Sequence, residues 1–272
     1  MNQLRVTLRN VLRQVFPKQM HARAVSHARW AEIEEDLLPI VVDPERESMD
    51  IGANVGRYAI ALAKPSRRVY AFEPDQELSA FLRRAAPDNV RVFSGAVSAA
   101  EGEAHLRVPL DKEGRPIVTL ASLTEVPDCP FEVRTVKTIT LDQFSDENVG
   151  FMKIDAEGHE LEILRGAQVL LGRQRPIILV EIDGRERREA IQSVRDLLAP
   201  LGYSGFFVLD KRTHGIEEFR PDLQNSLELE RPILRRDMRY VNNFFFAPSA
   251  AASTIRDSID RYYGALIEAE SD

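Results

Sequence analysis

Short apolar runs typical of β-strands alternate with amphipathic helical stretches along most of the chain after residue 45. Runs of the first kind occur at 68–74, 90–98, 149–158, 176–183, 203–210 and 241–248, and helical spacing of apolar residues occurs at 75–86, 159–174 and 186–199. Parallel strands need long crossover connections, usually helices, so this alternation predicts a mostly parallel sheet with helices on both faces. The predicted fold class is a doubly wound, Rossmann-like α/β sheet.

One stretch, residues 103–140, interrupts the alternation. The segments "EAHLRVPL" and "FEVRTVKTITL" are typical of two extra strands joined by a loop that contains Pro and Gly. We therefore predict one main domain over 44–250 with a β-rich insertion, an N-terminal helical extension over 1–43 and a C-terminal helix over 251–272. Apolar residues at helical spacing in the last segment predict core packing or a homodimer contact: Ile255, Ile259, Tyr262, Leu266 and Ile267.

Charge and cysteine content exclude several kinds of site. The net charge of −7 argues against a general electrostatic affinity for nucleic acid. Cys129 is the single cysteine, so an intrachain disulfide and a cysteine zinc site cannot form, and a cytoplasmic location is expected. No apolar run approaches the roughly 18 residues that a transmembrane helix requires.

The N-terminus has the opposite charge from the rest of the chain. Residues 1–30 contain six Lys and Arg residues and no acid, with apolar residues recurring at helical spacing on another face. Two interpretations remain open for this segment. In the first it is a helix that caps the main domain, and in the second it is a helix that lies peripherally on the anionic inner face of a membrane.

The segment "MDIGANVGRYAIALAK" (49–64) is a glycine-containing turn between a strand and a helix. A dinucleotide fingerprint starting at Gly52 would also need glycine where the chain has Asn54 and Arg57. The Gly-Lys-Ser/Thr of a phosphate-binding P-loop is absent as well. Asp50, at the end of the strand, would repel a pyrophosphate but can pair with an ammonium group.

S-adenosylmethionine fits these constraints, because it has an ammonium group, a sulfonium, a ribose and no phosphate. Gly52 and Gly56 allow the backbone to approach such a ligand closely. Glu73, about twenty residues further on, can accept hydrogen bonds from the ribose hydroxyls. The predicted cofactor-binding residues are Asp50, Gly52, Ala53, Asn54, Gly56, Glu73, Ala96, Val97 and Asp155, with Ala96 and Val97 at the adenine edge.

Five segments together resemble the FkbM-type methyltransferases: "DIGANVGRYAIALA", "VYAFEPD", "SGAVS", "TITLDQF" and "MKIDAEGHELEILRGAQ". The resemblance covers roughly residues 48–183, and "NNFFFAP" resembles the last strand of the family. It implies a class I methyltransferase fold with a seven-stranded sheet whose last strand is antiparallel, and O-methylation of a sugar or polyketide hydroxyl. One departure, the polar "PERES" at 44–48, predicts a distorted or partly exposed start to the first strand.

Methyl transfer to a hydroxyl requires a group that removes or weakens the hydroxyl proton. "IDAEGHE" places Asp155, Glu157, His159 and Glu160 after the fourth main strand, and Glu181 ends the next strand. The predicted catalytic residues are His159, Asp155 and Glu181, with His159 as the base because histidine titrates nearest neutrality. A Mg²⁺ ion held by Asp155 and Glu181 is the alternative, and we favour the histidine. Glu160 is an acid that the helix dipole favours in a first turn.

The acceptor is expected to be a small molecule or a glycan. Ser122 and Leu123 of the insertion are candidates for a lid over it, and a basic run before the last strand is either solvated or meets an anionic acceptor: Arg231, Arg235, Arg236 and Arg239. Two other functions remain as alternatives. One is a non-catalytic cofactor-binding or scaffold protein, and the other is a nicotinamide-dependent oxidoreductase, which the failed glycine fingerprint opposes.

Overall fold

The structure is a computed structural model that describes residues 32–124, 129–182, 189–224 and 240–271. The predicted basic helix at the N-terminus and the arginine run at 231–239 lie outside these residues. Among the described residues, no helix is both long and apolar enough to cross a membrane.

Eight strands form the large sheet of the described chain. They are β1 (Glu47–Ile51), β2 (Arg68–Glu73), β3 (Val90–Ser94), β7 (Val149–Ile154), β8 (Ile177–Glu181), β9 (Tyr203–Leu209), β10 (Arg212–Gly215) and β11 (Asn243–Pro248), in the spatial order β10-β9-β11-β8-β7-β1-β2-β3. The neighbouring strands β3, β2, β1, β7 and β8 pair parallel to one another. β11 pairs antiparallel with β8 and β9. The strand order reverses between β1 and β7, so the carboxyl ends of these strands form the ligand-binding crevice of a doubly wound sheet.

Helices cover both faces of the sheet. They are α1 (Leu38–Val41), α2 (Arg57–Leu62), α3 (Gln76–Ala85), α4 (Glu160–Arg165), α5 (Gln168–Gln174), α6 (Ala190–Leu198) and α7 (Ser249–Ser271). Alternate strand residues point to opposite faces, so Met152 and Phe151 of β7 belong to two different apolar cores. Helices α1, α2 and α7 pack on one face and α4, α5 and α6 on the other. The predicted doubly wound α/β class is confirmed.

A second, three-stranded sheet follows β3. It consists of β4 (Ala96–Val97), β5 (Gly102–Pro109) and β6 (Phe131–Ile139), in the order β4-β6-β5. Leu106, Val108 and Val136 form a small core under it together with Ala96. The run at 90–98, predicted as a strand and its exit loop, therefore supplies β3 to the large sheet and β4 to the second one.

The eighth strand was not implied by the family resemblance. Asp210 and Lys211 both have positive φ, 52° and 59°, which matches the turn that folds a hairpin tightly. β10 consequently returns antiparallel along β9. Thr213 fixes it to α7, where Asp260 accepts hydrogen bonds from its backbone N–H at 2.7 Å and its hydroxyl at 2.9 Å.

The predicted helix over 159–174 is two helices. Gly166 separates them, and a Cβ there would lie 2.1 Å from the carbonyl oxygen of Ser98. Asp142 then caps the second helix, because its Oδ1 accepts hydrogen bonds from the N–H groups of Val169 and Leu170 at 2.8 and 3.0 Å. The predicted helix over 186–199 is described from Ala190 to Leu198.

The first strand begins at the polar residues Glu47 and Ser48, yet all five of its residues are buried. The hydroxyl oxygens of Ser48 and Ser66 are 2.7 Å apart, which satisfies Ser48 in the interior. The pairing with β7 shifts register between Glu47 and Ser48. Pro44 and Glu45, which lead into the strand, are exposed. The entry is thus irregular and partly exposed, as "PERES" predicted, and the strand itself is buried from Glu47 onward.

Candidate active site

The turn between β1 and α2 is shaped by residues with left-handed backbone conformations. Gly52 and Gly56 have φ of +82° and +87°, and Asn54 has φ of +50°. A Cβ on Gly52 would lie 1.8 Å from the carbonyl oxygen of Asp155. Glycine at this position therefore lets the turn pack directly against the segment that follows β7.

Glu73 ends β2 beside this turn and is 5% exposed. Its Oε2 accepts a hydrogen bond from the N–H of Asn54 and its Oε1 one from the N–H of Asp75, both at 2.7 Å. Burial raises the pKa of Glu73 to about 7, although these two hydrogen bonds oppose the shift. Each carboxylate oxygen retains acceptor capacity for a ligand.

A cleft with an empty volume of about 640 Å³, partly open to solvent, lies over the carboxyl ends of β1, β2 and β7. The large sheet and the loops that leave it contribute Ile51, Gly52, Asn54, Phe72, Glu73, Pro74 and Gly95. The second sheet and the rest of the insertion contribute Ala96, Val97, Leu106, Val118, Ala121 and Leu123. The segment after β7 and the helix that follows it contribute Asp155, Ala156, Glu157, His159 and Ile163. The predicted cofactor residues at the glycine turn, β2 and β4 thus meet the predicted catalytic residues Asp155 and His159 in one cavity.

The segment that carries Asp155 and His159 is held by hydrogen bonds. Glu157 and Gly158 have φ of +49° and +90°. Glu160 stabilises this bend, because its Oε1 accepts hydrogen bonds from the N–H groups of Ala156 and Gly158 at 3.2 and 3.0 Å. Ser122 of the insertion donates its hydroxyl to the carbonyl oxygen of Glu157 at 2.6 Å. Glu160 and Ser122 therefore position the loop.

A model of the FkbM methyltransferase domain matches residues 50–204, more than half of the chain. The chain belongs to the FkbM methyltransferase family. This confirms the resemblance found in the sequence, and the matched residues contain the glycine turn, Glu73, Asp155 and His159. No curated protein matches the FkbM-family chain.

Among solved structures, the FkbM-family chain is similar to an FkbM methyltransferase from Methylobacillus flagellatus KT, with 15% identity and a TM-score of 0.46 over 87% of this chain and 60% of that one. It therefore spans about 60% of the length of that protein. An O-methyltransferase from Bacillus cereus in complex with SAH has 15% identity and a TM-score of 0.44, over 89% of this chain and 96% of that one. At these identities and scores, neither structure assigns an activity to this chain.

The FkbM-family chain places His159 at the start of α4, where its Nε2 lies 3.0 Å from the hydroxyl oxygen of Ser98. Asp155 also lines the cleft, and 39% of its side chain is exposed. Asp50, Ala53, Gly56 and Glu181 are not among the lining residues. Asp50 is 2% exposed beneath the turn, and its Oδ2 is buried without a hydrogen-bond partner among the described residues. Burial raises its pKa to about 7, although the charge of Lys153 opposes this shift.

Sequence reasoning missed Lys153 of β7, whose side chain is fully buried. Its Nζ lies 3.5 Å from Oε2 of Glu181, 3.4 Å from Oδ1 of Asn243 and 4.0 Å from Oδ2 of Asp155. Burial alone would lower the pKa of Lys153, but the surrounding carboxylates raise it above its ordinary value. The sequence did contain a signal for Lys153. This residue lies two residues before Asp155, and side chains two residues apart in an extended chain point to the same face.

A magnesium ion does not fit the pair of acids that the sequence proposed for it. Asp155 and Glu181 do lie together, but the Lys153 ammonium already pairs with both carboxyl groups. Mg²⁺ prefers free oxygen ligands in octahedral geometry. In the described part of the chain, no group of three or more His, Cys, Asp or Glu residues is arranged to hold a metal ion.

Proposed function

We propose that this FkbM-family protein transfers a methyl group from S-adenosylmethionine to a hydroxyl group of a small molecule or glycan, such as a sugar or a polyketide. The observation that carries the proposal is the Glu73 carboxylate, which lines the cleft beside the glycine turn and is oriented by the N–H groups of Asn54 and Asp75. A carboxylate in this position suits the hydroxyl groups of a ribose. The Asp50 carboxyl group beneath the glycine turn is what disfavours a pyrophosphate there.

The lining of the cleft fits the rest of the cofactor. Oδ1 of Asn54 is buried without a hydrogen-bond partner in the described residues, so it can accept a hydrogen bond from a ligand. Phe72, Ala96, Val97 and Leu106 offer an apolar surface for an adenine. The buried carboxyl group of Asp50 beneath the turn favours a cationic ligand above it. When bound, S-adenosylmethionine supplies an activated methyl group and its own leaving group.

The residues of the chain then supply alignment and proton removal. His159 lines the cleft, and the hydroxyl of Ser98 fixes the orientation of its ring. In our proposal the imidazole takes the proton of the acceptor hydroxyl, and Asp155 orients that hydroxyl. Leu123 and Val118 place the insertion over the same cleft, so we propose that the insertion contributes both to cofactor binding and to the choice of acceptor.

Calorimetry tests cofactor choice. S-adenosylmethionine and its demethylated product SAH are expected to bind, and NAD is not. Glu73→Ala should weaken SAH binding by about 1–3 kcal/mol, because charge-assisted hydrogen bonds to the ribose are lost. Glu77→Ala is the matched control, because Glu77 is an exposed glutamate four residues further along the chain, in α3. Equal SAH affinity of both variants would contradict the role of Glu73, and tight NAD binding would contradict the proposal and favour the oxidoreductase alternative.

Transfer of labelled methyl from S-adenosylmethionine to a panel of sugars, nucleotide sugars and polyketides tests the base. His159→Ala should lower turnover by about 10²–10⁴-fold with little change in SAH affinity. His105→Ala, at an exposed histidine of β5, is the control. A chelator should leave turnover intact. Loss of turnover in chelator that magnesium restores would replace the base with a metal, and cofactor binding without any transfer would favour a non-catalytic protein.

A further inference from the structure

Lys153 lies in β7, two residues before Asp155, and its side chain is 1% exposed. It is not among the residues that line the cleft. A lysine withdrawn from water this completely loses the hydration of its ammonium group, so partners of opposite charge are needed to retain the charge.

Three elements besides β7 supply the groups around the ammonium: one carboxylate, one amide oxygen and one aromatic ring. Glu181 ends β8, Asn243 begins β11, and their side-chain oxygens lie 3.5 and 3.4 Å from Nζ. The ammonium also lies 5.1 Å from the ring centroid of Tyr58 in α2, within the range of a cation–π contact. The ammonium is therefore enclosed from several sides.

The charged and titratable groups that face Lys153 come from every described element packed around it: Glu32 and Glu34 of the N-terminal segment, Asp50 of β1, Tyr58 of α2, Asp155 after β7 and Glu181 of β8. Glu32 is itself tied to this group, because the Tyr58 hydroxyl donates a hydrogen bond to its Oε2 at 2.6 Å. Among these described residues Lys153 carries the positive charge, so it compensates carboxylates that otherwise repel one another.

Asp155 and Glu181 are the members of the group that meet the cleft edge. Their side chains are 39% and 26% exposed, and Lys153 Nζ lies 4.0 and 3.5 Å from their carboxylate oxygens. Burial and the charge of Asp155 raise the pKa of Glu181 well above its ordinary value. Two carboxyl groups this close to one another share a proton unless a cation compensates the second charge. Asn242 also donates a hydrogen bond to Oε1 of Glu181 at 2.6 Å.

We propose that Lys153 is a positioning residue of the site: its buried ammonium holds the carboxyl groups of Asp155 and Glu181 at the edge of the cleft and keeps one of them ionised. Asp155 then presents a charged hydrogen-bond acceptor to a substrate hydroxyl. The inference rests on the proposed function only for that last step. The ionisation of Asp155 involves no ligand, so it can be tested on the chain alone: burial raises the pKa of Asp155, and the charge of Lys153 opposes that shift.

The test is the titration of the Asp155 carboxyl group, followed by carbon NMR in the ligand-free full chain. Lys153→Met should raise the apparent pKa of Asp155 by about 1–3 units, the range for loss of one close opposite charge. Lys153→Arg keeps the charge and should shift the titration less. Lys64→Met, at an exposed lysine after α2, should leave it unchanged. A folded K153M protein with the wild-type titration would overturn the proposal.

A second pair of variants covers the case in which K153M does not fold, because removing Lys153 together with Glu181 leaves the net charge unchanged. E181Q and K153M/E181Q differ only in the lysine, and Asp155 should titrate at the higher pH in the double variant. Equal titration in the two would overturn the proposal. The nitrogen NMR signal of Lys153 Nζ gives a test without substitution, because it should stay that of an ammonium from pH 6 to 9, and a neutral amine in that range would also overturn it. None of these measurements uses cofactor, so a failure of methyl transfer leaves their outcome interpretable.

Discussion

At the scale of single residues, the protonation state of Glu73 should make the binding of the proposed cofactor depend on pH. Its pKa of about 7 results from burial, and only the ionised carboxylate can accept hydrogen bonds from both ribose hydroxyls. Acidification from pH 8 to pH 6 should therefore weaken SAH binding by about tenfold, because the free protein must first lose the Glu73 proton. Calorimetry at a series of pH values measures this dependence.

Glu73→Gln is the control, because the amide has similar shape and does not titrate. Its SAH affinity should be lower than that of the wild type at pH 8 and nearly constant between pH 6 and pH 8. Burial also raises the pKa of Asp50 to about 7. Any pH dependence of SAH binding that remains in the Glu73→Gln variant therefore measures the contribution of Asp50. An equally steep dependence in both proteins would assign the effect to a group other than Glu73.

At the scale of elements, the glycine turn and the segment after β7 determine each other's position. Gly52→Ala places a Cβ where the Asp155 carbonyl oxygen lies, at a φ that L side chains rarely adopt. We expect a loss of about 1–3 kcal/mol in the free energy of unfolding, and a loss of SAH affinity, because the turn must move. Gly172→Ala in α5 meets no atom within 4 Å. It should stabilise the protein by up to about 1 kcal/mol without a change in SAH affinity.

Urea denaturation and calorimetry on the two alanine variants provide the comparison. The substitution is chemically identical, so a difference between them reports the local backbone and the space around each glycine. Equal stability of the two variants would contradict the close packing of the turn against the segment after β7.

At the scale of the whole molecule, buried carboxyl groups make stability depend on pH. Burial raises the pKa values of Glu34, Asp50 and Glu73 to about 7, each from an ordinary value near 4. Between about pH 4.5 and 7 the folded chain therefore holds more protons than the unfolded chain, and stability falls as pH rises. Thermal unfolding should show a lower Tm at pH 8 than at pH 5.5.

Glu34→Gln isolates one of these groups. Glu34 is 7% exposed, and the neutral amide avoids the cost of a buried charge. We expect the variant to be more stable than the wild type by about 1–3 kcal/mol at pH 8, with a smaller difference at pH 5.5. Glu45→Gln, at an exposed glutamate, should follow the wild type at both pH values. A wild-type Tm that rises steadily from pH 5.5 to 8 would contradict the burial of these charges.

Several features were readable from the sequence because they depend on local patterns. Alternating strand and helix periodicity predicted the doubly wound sheet, and the spacing of Gly52 and Glu73 placed both at strand ends beside one cleft. The motif around Asp155 and His159 carried enough of the family pattern to predict FkbM membership. These inferences hold because parallel strands bring their carboxyl ends to one edge whatever the details of packing.

Other features were decided only by contacts between distant parts of the chain. The break at Gly166 depends on Ser98, and the cap of α5 depends on Asp142, so helical periodicity alone predicted one helix. Lys153 looks like an ordinary strand residue until β8, β11 and α2 enclose it. The sequence by itself determined the layers and the edge where the site lies. The tertiary structure decided which charges face the cleft and which lie beneath it, because burial and pairing depend on register across the sheet.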